Sequence, residues 1–254
     1  MQTEKPRYCP DGQTGLKERL EAHWLGIDSP RILEAGCGSS SNIPIHPNAH
    51  VVGIDISAEE LDKNTSVHEK IVGDLETCEL PKNAFDLVVC FDVLEHLHRP
   101  ALAMASMASA VRPGGLLLLA FPNVHSLKAV VAKYTPLWFH SMINRFIYGK
   151  KAGTPGYINF PTVLDPSISP YRMAGFAKAH GFEVELAVLI QSGLQKRFFR
   201  KMLVGQPGAF LADRLVRVVS LGRLSVSESD CVFLFKKKVV DFPIRTDDPA
   251  TLNR

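Results

Sequence analysis

The chain has 254 residues, of which 46% are hydrophobic and 22% charged, and its net charge is only +3. This is ordinary globular composition, enough for one large domain or two small ones. The five cysteines are scattered and odd in number, no cysteine and histidine cluster indicates zinc, and no secretory segment is recognisable. The longest apolar runs, such as residues 116–121, are far too short to span a bilayer, and we expect a cytoplasmic protein.

The first predicted element is a helix. Residues 15–25 carry leucines at helical spacing with charges between them, which predicts an amphipathic helix ahead of the first strand. Tyr8 and Cys9 precede this helix, and they could either cover a ligand or belong to a loose end. We therefore treat residues 1–30 as an N-terminal helix and cover.

Residues 31–38 combine a buried strand with a glycine turn. Glu34 places a carboxylate near the carboxyl end of the strand, and Gly36 and Gly38 then turn the chain without side chains, so that a ligand can lie on the backbone. Ligands of open α/β sheets bind at the carboxyl ends of the strands, so this turn is the first candidate for a small-molecule site. By itself it has only two of the three glycines of the dinucleotide fingerprint, and any tight strand-to-helix turn would also use glycine.

Two more short apolar strands each end in a carboxylate. Asp55 ends the strand at 51–55, and it follows Gly38 at close to the spacing of about 20 residues at which an acid meets ribose hydroxyls. Asp74 ends the strand at 70–74 and could accept a hydrogen bond from an adenine amino group. An isolated acid at a strand end is more often a helix cap, but three in succession, counting Glu34, indicate a binding site.

The pattern then continues through two further strands. Residues 85–91 are continuously apolar, which is typical of a strand buried on both faces, and Asp92 follows directly. Residues 100–111 predict a helix, which residues 112–115 end with proline and glycine. Residues 115–121 predict the fifth strand.

The second half is less regular. Residues 125–151 alternate apolar and basic side chains, and Pro136 divides them into two predicted helices. A long loop region follows at 153–170. The remaining predicted elements are a helix at 170–180 and two strands at 182–188 and 231–235.

Six motifs follow one another along residues 31–123: Glu34-x-Gly36-x-Gly38, Asp55, Gly73-Asp74, Phe85-Asp-Leu-Val88, Val93-Leu-Glu-His-Leu97 and Arg112-Pro-Gly-Gly-Leu116. As a set they resemble the class I S-adenosylmethionine-dependent methyltransferases, closest to the small-molecule branch that includes the ubiquinone-biosynthesis O-methylases. An NAD enzyme shares the first turn and Asp55, but it would not be expected to carry the last two motifs as well.

The resemblance implies a fold and a division of the chain. The fold would be an α/β, Rossmann-like sheet of seven strands in the order 3-2-1-4-5-7-6, with strand 7 antiparallel, helices on both faces and a helical insert between strands 5 and 6. After the N-terminal cover, the segments would be a cofactor-binding half at 31–122, a substrate-cover insert at 123–170, a C-terminal half of the same domain at 171–240 and a tail at 241–254.

The resemblance also implies a site for S-adenosylmethionine. Glu34 and the glycines would border its methionine part, Asp55 would hold the ribose diol, and the remaining residues would flank the adenine or line the floor near the sulfonium. An acid-rimmed pocket suits this cofactor, because it carries a sulfonium and an ammonium but no phosphate. The implied cofactor residues are Glu34, Gly36, Cys37, Gly38, Asp55, Ile56, Asp74, Leu75, Phe91 and Asp92.

A hydroxyl or ammonium acceptor must lose a proton during methyl transfer, and a histidine of near-neutral pKa suits that role. The candidates are His96, which follows the cofactor floor, His125, just past the fifth strand, and His140, in the expected cover. Each of them could instead be structural. Asp92, Glu95 and His96 could also be read as ligands of a metal-dependent variant, but the further acid that such a site needs is not identifiable, and no metal is predicted.

Charge is unevenly distributed: residues 123–224 carry 14 Lys and Arg against 4 Asp and Glu. Residues 194–219 look like amphipathic helix with a basic face. This segment could contact an anionic membrane or lipid substrate, could attract an acidic acceptor, or could simply be a solvated helix packed on the sheet. Nucleic acid ranks lowest, because no RNA-binding module is recognisable.

We therefore expect an enzyme that methylates an oxygen of a small-molecule or lipid-like acceptor. We expect it in the cytoplasm, either free or bound at the membrane surface. The alternatives are an N- or C-methyltransferase, a lipid methylase at the membrane surface, or a methyltransferase-like binding protein without activity. Neither the acceptor nor the oligomeric state follows from these motifs.

Overall fold

The computed structural model describes most of the chain, in which backbone hydrogen bonds join the strands into one continuous sheet with helices around it. The described residues are 6–9, 15–41, 46–136, 138–139, 142, 145–146, 161–201 and 205–239. His140, the loop expected around 153–160 and the tail from residue 241 lie outside them.

Eight strands form the sheet, in the spatial order β1-β7-β8-β6-β5-β2-β3-β4. Strand β8 runs antiparallel to its neighbours β6 and β7, and every other neighbouring pair is parallel. In chain order the strands are β1 (Arg7–Cys9), β2 (Arg31–Ala35), β3 (His50–Asp55), β4 (Glu69–Val72), β5 (Phe85–Phe91), β6 (Val111–Pro122), β7 (Phe182–Ile190) and β8 (Asp230–Lys237).

The predicted count of seven strands, and with it the complete strand order, was wrong. Arg7–Cys9 pairs parallel with Val188–Ile190 of β7 and adds an eighth strand at that edge. Cys9 is buried there and Tyr8 packs against the core, so these two residues belong to the sheet. The other seven strands keep the predicted arrangement relative to one another, with the last one antiparallel.

Helices cover both faces of the sheet because the strands expose apolar side chains alternately to each face. On one face Leu33 packs in a core that includes Met104 and Met173, whereas on the other Ile32 packs in a core that includes Leu20. The helices are α1 (Leu16–Trp24), α2 (Ala58–Lys63), α3 (Pro100–Ala110), α4 (Leu127–Tyr134), α5 (Met173–Ala179), α6 (Gly193–Lys201) and α7 (Gly205–Val219), with short 3-10 turns at Leu94–His96 and Pro166–Ile168.

One local prediction needs correction. Helix α3 ends at Ala110, one residue before the predicted end, but residues 112–115 are part of β6, which starts at Val111 and pairs irregularly with β5 there. The amphipathic helical segment expected over 194–219 comprises two helices, α6 and α7, that pack against each other. Among the described residues, no helix combines the length and the apolarity that crossing a bilayer requires.

Candidate active site

The glycine turn after β2 is held against β3 by its own backbone. The N–H groups of Gly36 and Cys37 both donate to the carbonyl oxygen of Ile54, at 2.7 and 3.2 Å. The buried side chain of Asn64 donates to the carbonyl oxygens of Cys37 and Gly38, at 3.3 and 3.1 Å. The turn is therefore bound from two sides and offers a rigid backbone surface at the carboxyl edge of the sheet.

The two glycines of this turn serve different purposes. Gly36 has φ +74°, and a Cβ atom there would lie only 2.2 Å from Cγ2 of Val93, so no side chain fits. Gly38 has φ +49°, but a Cβ atom there would meet nothing within 4 Å. Gly36 is thus required by packing, whereas Gly38 leaves open space over the turn.

Asp55 stands beside this turn and links it to β3. Its Oδ2 accepts a hydrogen bond from the Gly38 N–H at 2.8 Å, and its Oδ1 accepts one from the Ser57 N–H at 2.9 Å. Each carboxylate oxygen has two lone pairs, so the same group can still accept hydrogen bonds from a ligand. Ile56, the next residue, is 63% exposed although it is apolar, which offers a flat surface beside the carboxylate.

Asp74 occupies the corresponding position after β4. Its Oδ1 accepts from the Glu76 N–H at 2.8 Å, and its carbonyl oxygen accepts from the N–H groups of Thr77 and Cys78. It therefore organises a local turn, as a capping acid would, while Leu75 beside it is buried. The structure places both residues at the same sheet edge as Asp55.

A cavity of about 440 Å³ opens above the glycine turn, and we call it the glycine-turn cavity. Glu34 lines it, is only 8% exposed, and its Oε2 has no hydrogen-bond partner among the described residues. Burial raises the pKa of Glu34 against the opposing effect of the Ser41 hydroxyl. The residues lining this cavity are Leu16, Glu34, Gly36, Cys37, Ser40, Phe91, Asp92, Ala120 and Val232.

Five of the ten predicted cofactor residues line the glycine-turn cavity. The other five lie along the carboxyl ends of β2, β3 and β4, where they continue the same edge of the sheet: Gly38, Asp55, Ile56, Asp74 and Leu75. Burial and the nearby carboxylates of Glu34 and Asp55 raise the pKa of the Cys37 thiol to about 12, so this thiol stays protonated and is no nucleophile.

The carboxyl end of β5 carries two more acids in an unusual environment. Asp92 has φ +53°, a strained conformation for a residue with a side chain, and its N–H donates to the carbonyl oxygen of Ala120. Protein atoms packed around its carboxyl group, reinforced by Asp230, raise the pKa of Asp92 against the effects of Lys128 and His96, although the residue is exposed to solvent. Burial and the nearby Asp92 also raise the pKa of Glu95 to about 8, and its Oε2 lacks a partner among the described residues.

His96 is bound to a segment inside the predicted substrate-cover insert. Its Nδ1–H donates to the carbonyl oxygen of Pro161 at 2.8 Å, and its Nε2 lies 3.9 Å from Oε1 of Glu95. The carbonyl oxygen of Glu95 accepts from the N–H groups of Val163 and Leu164. These bonds attach residues 161–164 to the 3-10 turn after β5, which is a positioning role for His96.

His125 lines a second cavity of about 390 Å³, which we call the His125 cavity. It follows β6, the strand next to β5, and its Nε2 is hydrogen-bonded with the hydroxyl of Ser169 at 3.1 Å. Burial lowers the pKa of His125, so its ring is neutral near pH 7. The lining residues are Val124, His125, Val130, Lys133, Tyr134, Leu164, Pro166, Ser169 and Arg172.

Several site residues have no motif that could reveal them in the sequence. Asn64 holds the glycine turn from α2, and Leu16 and Val232 line the glycine-turn cavity from the two distant ends of the chain. Ser169 meets His125 across 44 residues of sequence. Only the fold brings these residues to the site.

Among the described residues, no three His, Cys, Asp or Glu side chains lie together in a way that could hold a metal ion. A cationic nucleoside, by contrast, matches the side chains that are present. Glu34 lines the cavity, its buried Oε2 has no hydrogen-bond partner among the described residues, and Gly38 leaves open space over the turn. Asp55 adds a second carboxylate beside the exposed Ile56, which suits a ribose next to an aromatic base.

Comparison with known proteins agrees with this chemistry. Residues 33–119 match the family described as "Methyltransferase domain". The chain is 28% identical over 191 residues to a ubiquinone biosynthesis O-methyltransferase of Burkholderia thailandensis, which covers 70% of this chain and 75% of that protein. It is 27% identical over 179 residues to the enzyme of the same name from Ralstonia nicotianae, covering 65% and 69%.

Solved structures support the fold. A proposed methyltransferase from Bacillus halodurans aligns with a TM-score of 0.51 and 15% identity, over 87% of this chain and 98% of that one. The [4+2]-cyclase SpnF aligns with a TM-score of 0.50 and 15% identity, over 94% and 89%. Residues 33–119 are thus a methyltransferase domain, and the motifs, the acidic glycine-turn cavity and the O-methyltransferase relatives fit the class I enzymes that use S-adenosylmethionine as cofactor.

Proposed function

We propose that this enzyme methylates an oxygen of a small-molecule or lipid-like acceptor that binds in the His125 cavity. The observation that carries the proposal is this cavity itself, with a neutral histidine in its wall at the carboxyl end of β6. The strand beside it, β5, ends at the glycine-turn cavity, so the two cavities open at neighbouring strand ends. The curated relatives named as O-methyltransferases favour oxygen as the atom that is methylated.

The chain has two tasks in such a reaction. Bound S-adenosylmethionine supplies a methyl group that its sulfonium has already activated, so the protein must chiefly align the acceptor and remove its proton. Alignment in a fixed cavity contributes roughly 7–11 kcal/mol to lowering a two-reactant barrier. His125 takes the hydroxyl proton, because its neutral ring is a base at pH 7 and its bond with Ser169 holds the ring in place.

The charge of the His125 cavity favours an acceptor with an acidic group. Lys133 and Arg172 both line it. Hydrogen bonds from Ser167 chiefly lower the pKa of the nearby Asp165, whose Oδ1 accepts from the Ser167 N–H at 2.7 Å, and the two cations lower it further. A carboxylate or phosphate on the acceptor would therefore meet two cations at the mouth of the cavity.

The experiment is a transfer assay with radiolabelled S-adenosylmethionine and a panel of catechols, phenols with and without a carboxylate, and primary amines. We expect turnover of phenolic hydroxyls, with a lower KM for carboxylated phenols that Arg172→Gln removes. Turnover of amines alone would contradict oxygen methylation, and cofactor binding without any turnover would favour a binding protein.

The same assay separates the histidine candidates. His125→Gln should lower kcat by roughly 10²- to 10⁴-fold at unchanged cofactor affinity, since general base catalysis contributes that much. His96→Gln should lower thermal stability instead, because it loses the bond to Pro161. The reverse pattern would move the base to His96.

We also propose a reducing cytoplasm as the compartment, in which the five cysteines would stay as free thiols.

A further inference from the structure

Helix α7 turns its apolar side chains away from the protein. Five of them form what we call the outer face: Phe210, Leu211, Leu215, Val218 and Val219, which are between 62% and 77% exposed. In a surface helix of a globular protein these residues would be expected to face the core. Contiguous apolar surface of this kind usually marks an interaction site.

The opposite side of α7 explains this orientation. Asp213 is buried and accepts hydrogen bonds from the Ser225 hydroxyl and the Val226 N–H, both at 2.7 Å. Arg217, one turn later, donates to Asp213 at 2.7 Å and to Glu228 at 2.7 Å. These polar bonds attach the helix to the loop before β8 through its polar side, so the outer face cannot rotate inward without breaking them.

Basic side chains border the outer face. Arg214 lies within it, with its guanidinium 5.6 Å from the centre of the Phe210 ring. Arg200 and Lys201 are exposed on the neighbouring helix α6, and Lys201 also donates to the carbonyl oxygen of Phe146. Residues 193–223 contain seven Lys and Arg but a single acid, Asp213, and that acid is buried.

We propose that the outer face of α7 docks on the surface of an anionic lipid membrane. Apolar side chains enter the headgroup boundary, while arginine and lysine beside them meet lipid phosphates, which is how interfacial helices bind. A second copy of this chain is a poorer occupant, because a two-fold contact would set two basic surfaces against each other. The proposal rests on this surface alone and is independent of which acceptor the enzyme methylates.

The test measures co-sedimentation of the full chain with vesicles. We expect at least about tenfold tighter binding to phosphatidylcholine vesicles that contain phosphatidylglycerol than to phosphatidylcholine alone, and weaker binding at high salt. Leu215→Asp should weaken binding at least tenfold, since it removes an exposed leucine that the membrane would bury and adds a negative charge. Leu25→Asp is the matched control at another exposed leucine, and it should leave binding unchanged.

A second pair of variants tests the charge. Arg214→Glu should weaken binding to the anionic vesicles, whereas Arg19→Glu on α1 should not. Leu215→Trp keeps the face apolar, and its emission should shift to the blue when anionic vesicles are added. Equal binding to both vesicle types, no binding, or loss in the control variants would overturn the proposal. So would self-association that Leu215→Asp abolishes in a chain that does not bind vesicles.

Discussion

Replacing Asp55 with alanine tests whether one carboxylate both builds the glycine turn and holds the cofactor. The carboxylate accepts hydrogen bonds from the N–H groups of Gly38 and Ser57, at 2.8 and 2.9 Å. A hydrogen bond to a charged group contributes about 1.5–3 kcal/mol, and the half-buried position favours the lower end. We therefore expect Asp55→Ala to lower the free energy of unfolding by about 3 kcal/mol, which lowers Tm by roughly 6–12 °C for a chain of this size.

The cofactor adds a second, separable effect. Two hydrogen bonds from the ribose hydroxyls to a carboxylate should together contribute at least about 3 kcal/mol, which is more than a 100-fold change in Kd. The assay is calorimetric titration with S-adenosylhomocysteine well below the variant's Tm, beside thermal unfolding without ligand. Asp62→Ala, at an exposed acid of α2, is the control and should change neither quantity. Unchanged affinity in Asp55→Ala would refute the cofactor assignment, and an unchanged Tm would refute the role in the turn.

Three further predictions concern stability. Gly36→Ala should destabilise the chain and abolish cofactor binding, because its Cβ atom would overlap Val93. Gly38→Ala should lower the free energy of unfolding only by the left-handed backbone strain of about 1–2 kcal/mol. Thermal unfolding of the two variants measures the difference in stability between them. Glu95 binds its proton more tightly in the folded state, with a pKa of about 8 against 4.5. The free energy of unfolding should therefore fall by about 1.4 kcal/mol per pH unit as the pH rises from 4.5 to 8. Glu95→Gln should flatten this dependence of stability on pH, which denaturant titration measures. Lys237→Met should lower Tm by roughly 3–10 °C, because the Lys237 ammonium donates to two carbonyl oxygens at the end of α3; an unchanged Tm would contradict that role.

The cofactor-binding half shows which features could be predicted from residues that are close together in the sequence. The strands that end at Ala35, Asp55 and Phe91 were predictable within a residue or two, because each is a short apolar run that ends at glycine or an acid. The acids of those strand ends do meet at one edge of the sheet. Their individual contacts were not predictable: Asp55 bonds the glycine turn directly, and which backbone N–H it reaches depends on how β2 and β3 are aligned.

At the edges of the fold, by contrast, the structure could not be predicted from the local sequence. Arg7–Cys9 is too short to carry a strand pattern, and it becomes a strand only because β7 offers an unpaired edge. Helix α7 was read as amphipathic with a basic face, and that pattern is present. The pattern does not give the rotation of the helix about its axis, because the ion pair between the buried Asp213 and the partly exposed Arg217 decides which side faces the protein.

The order of motifs along residues 31–123 was by itself sufficient to indicate the family, the cofactor and the succession of strands, because these depend on side chains that lie close together in the sequence. Tertiary structure alone decided the eighth strand, the meeting of His125 with Ser169 and the outward face of α7. These features depend on contacts between distant segments, and such contacts form only where the packed sheet brings the segments together. The periodicity of a segment says which of its side chains share a face, but the surrounding fold determines what that face meets.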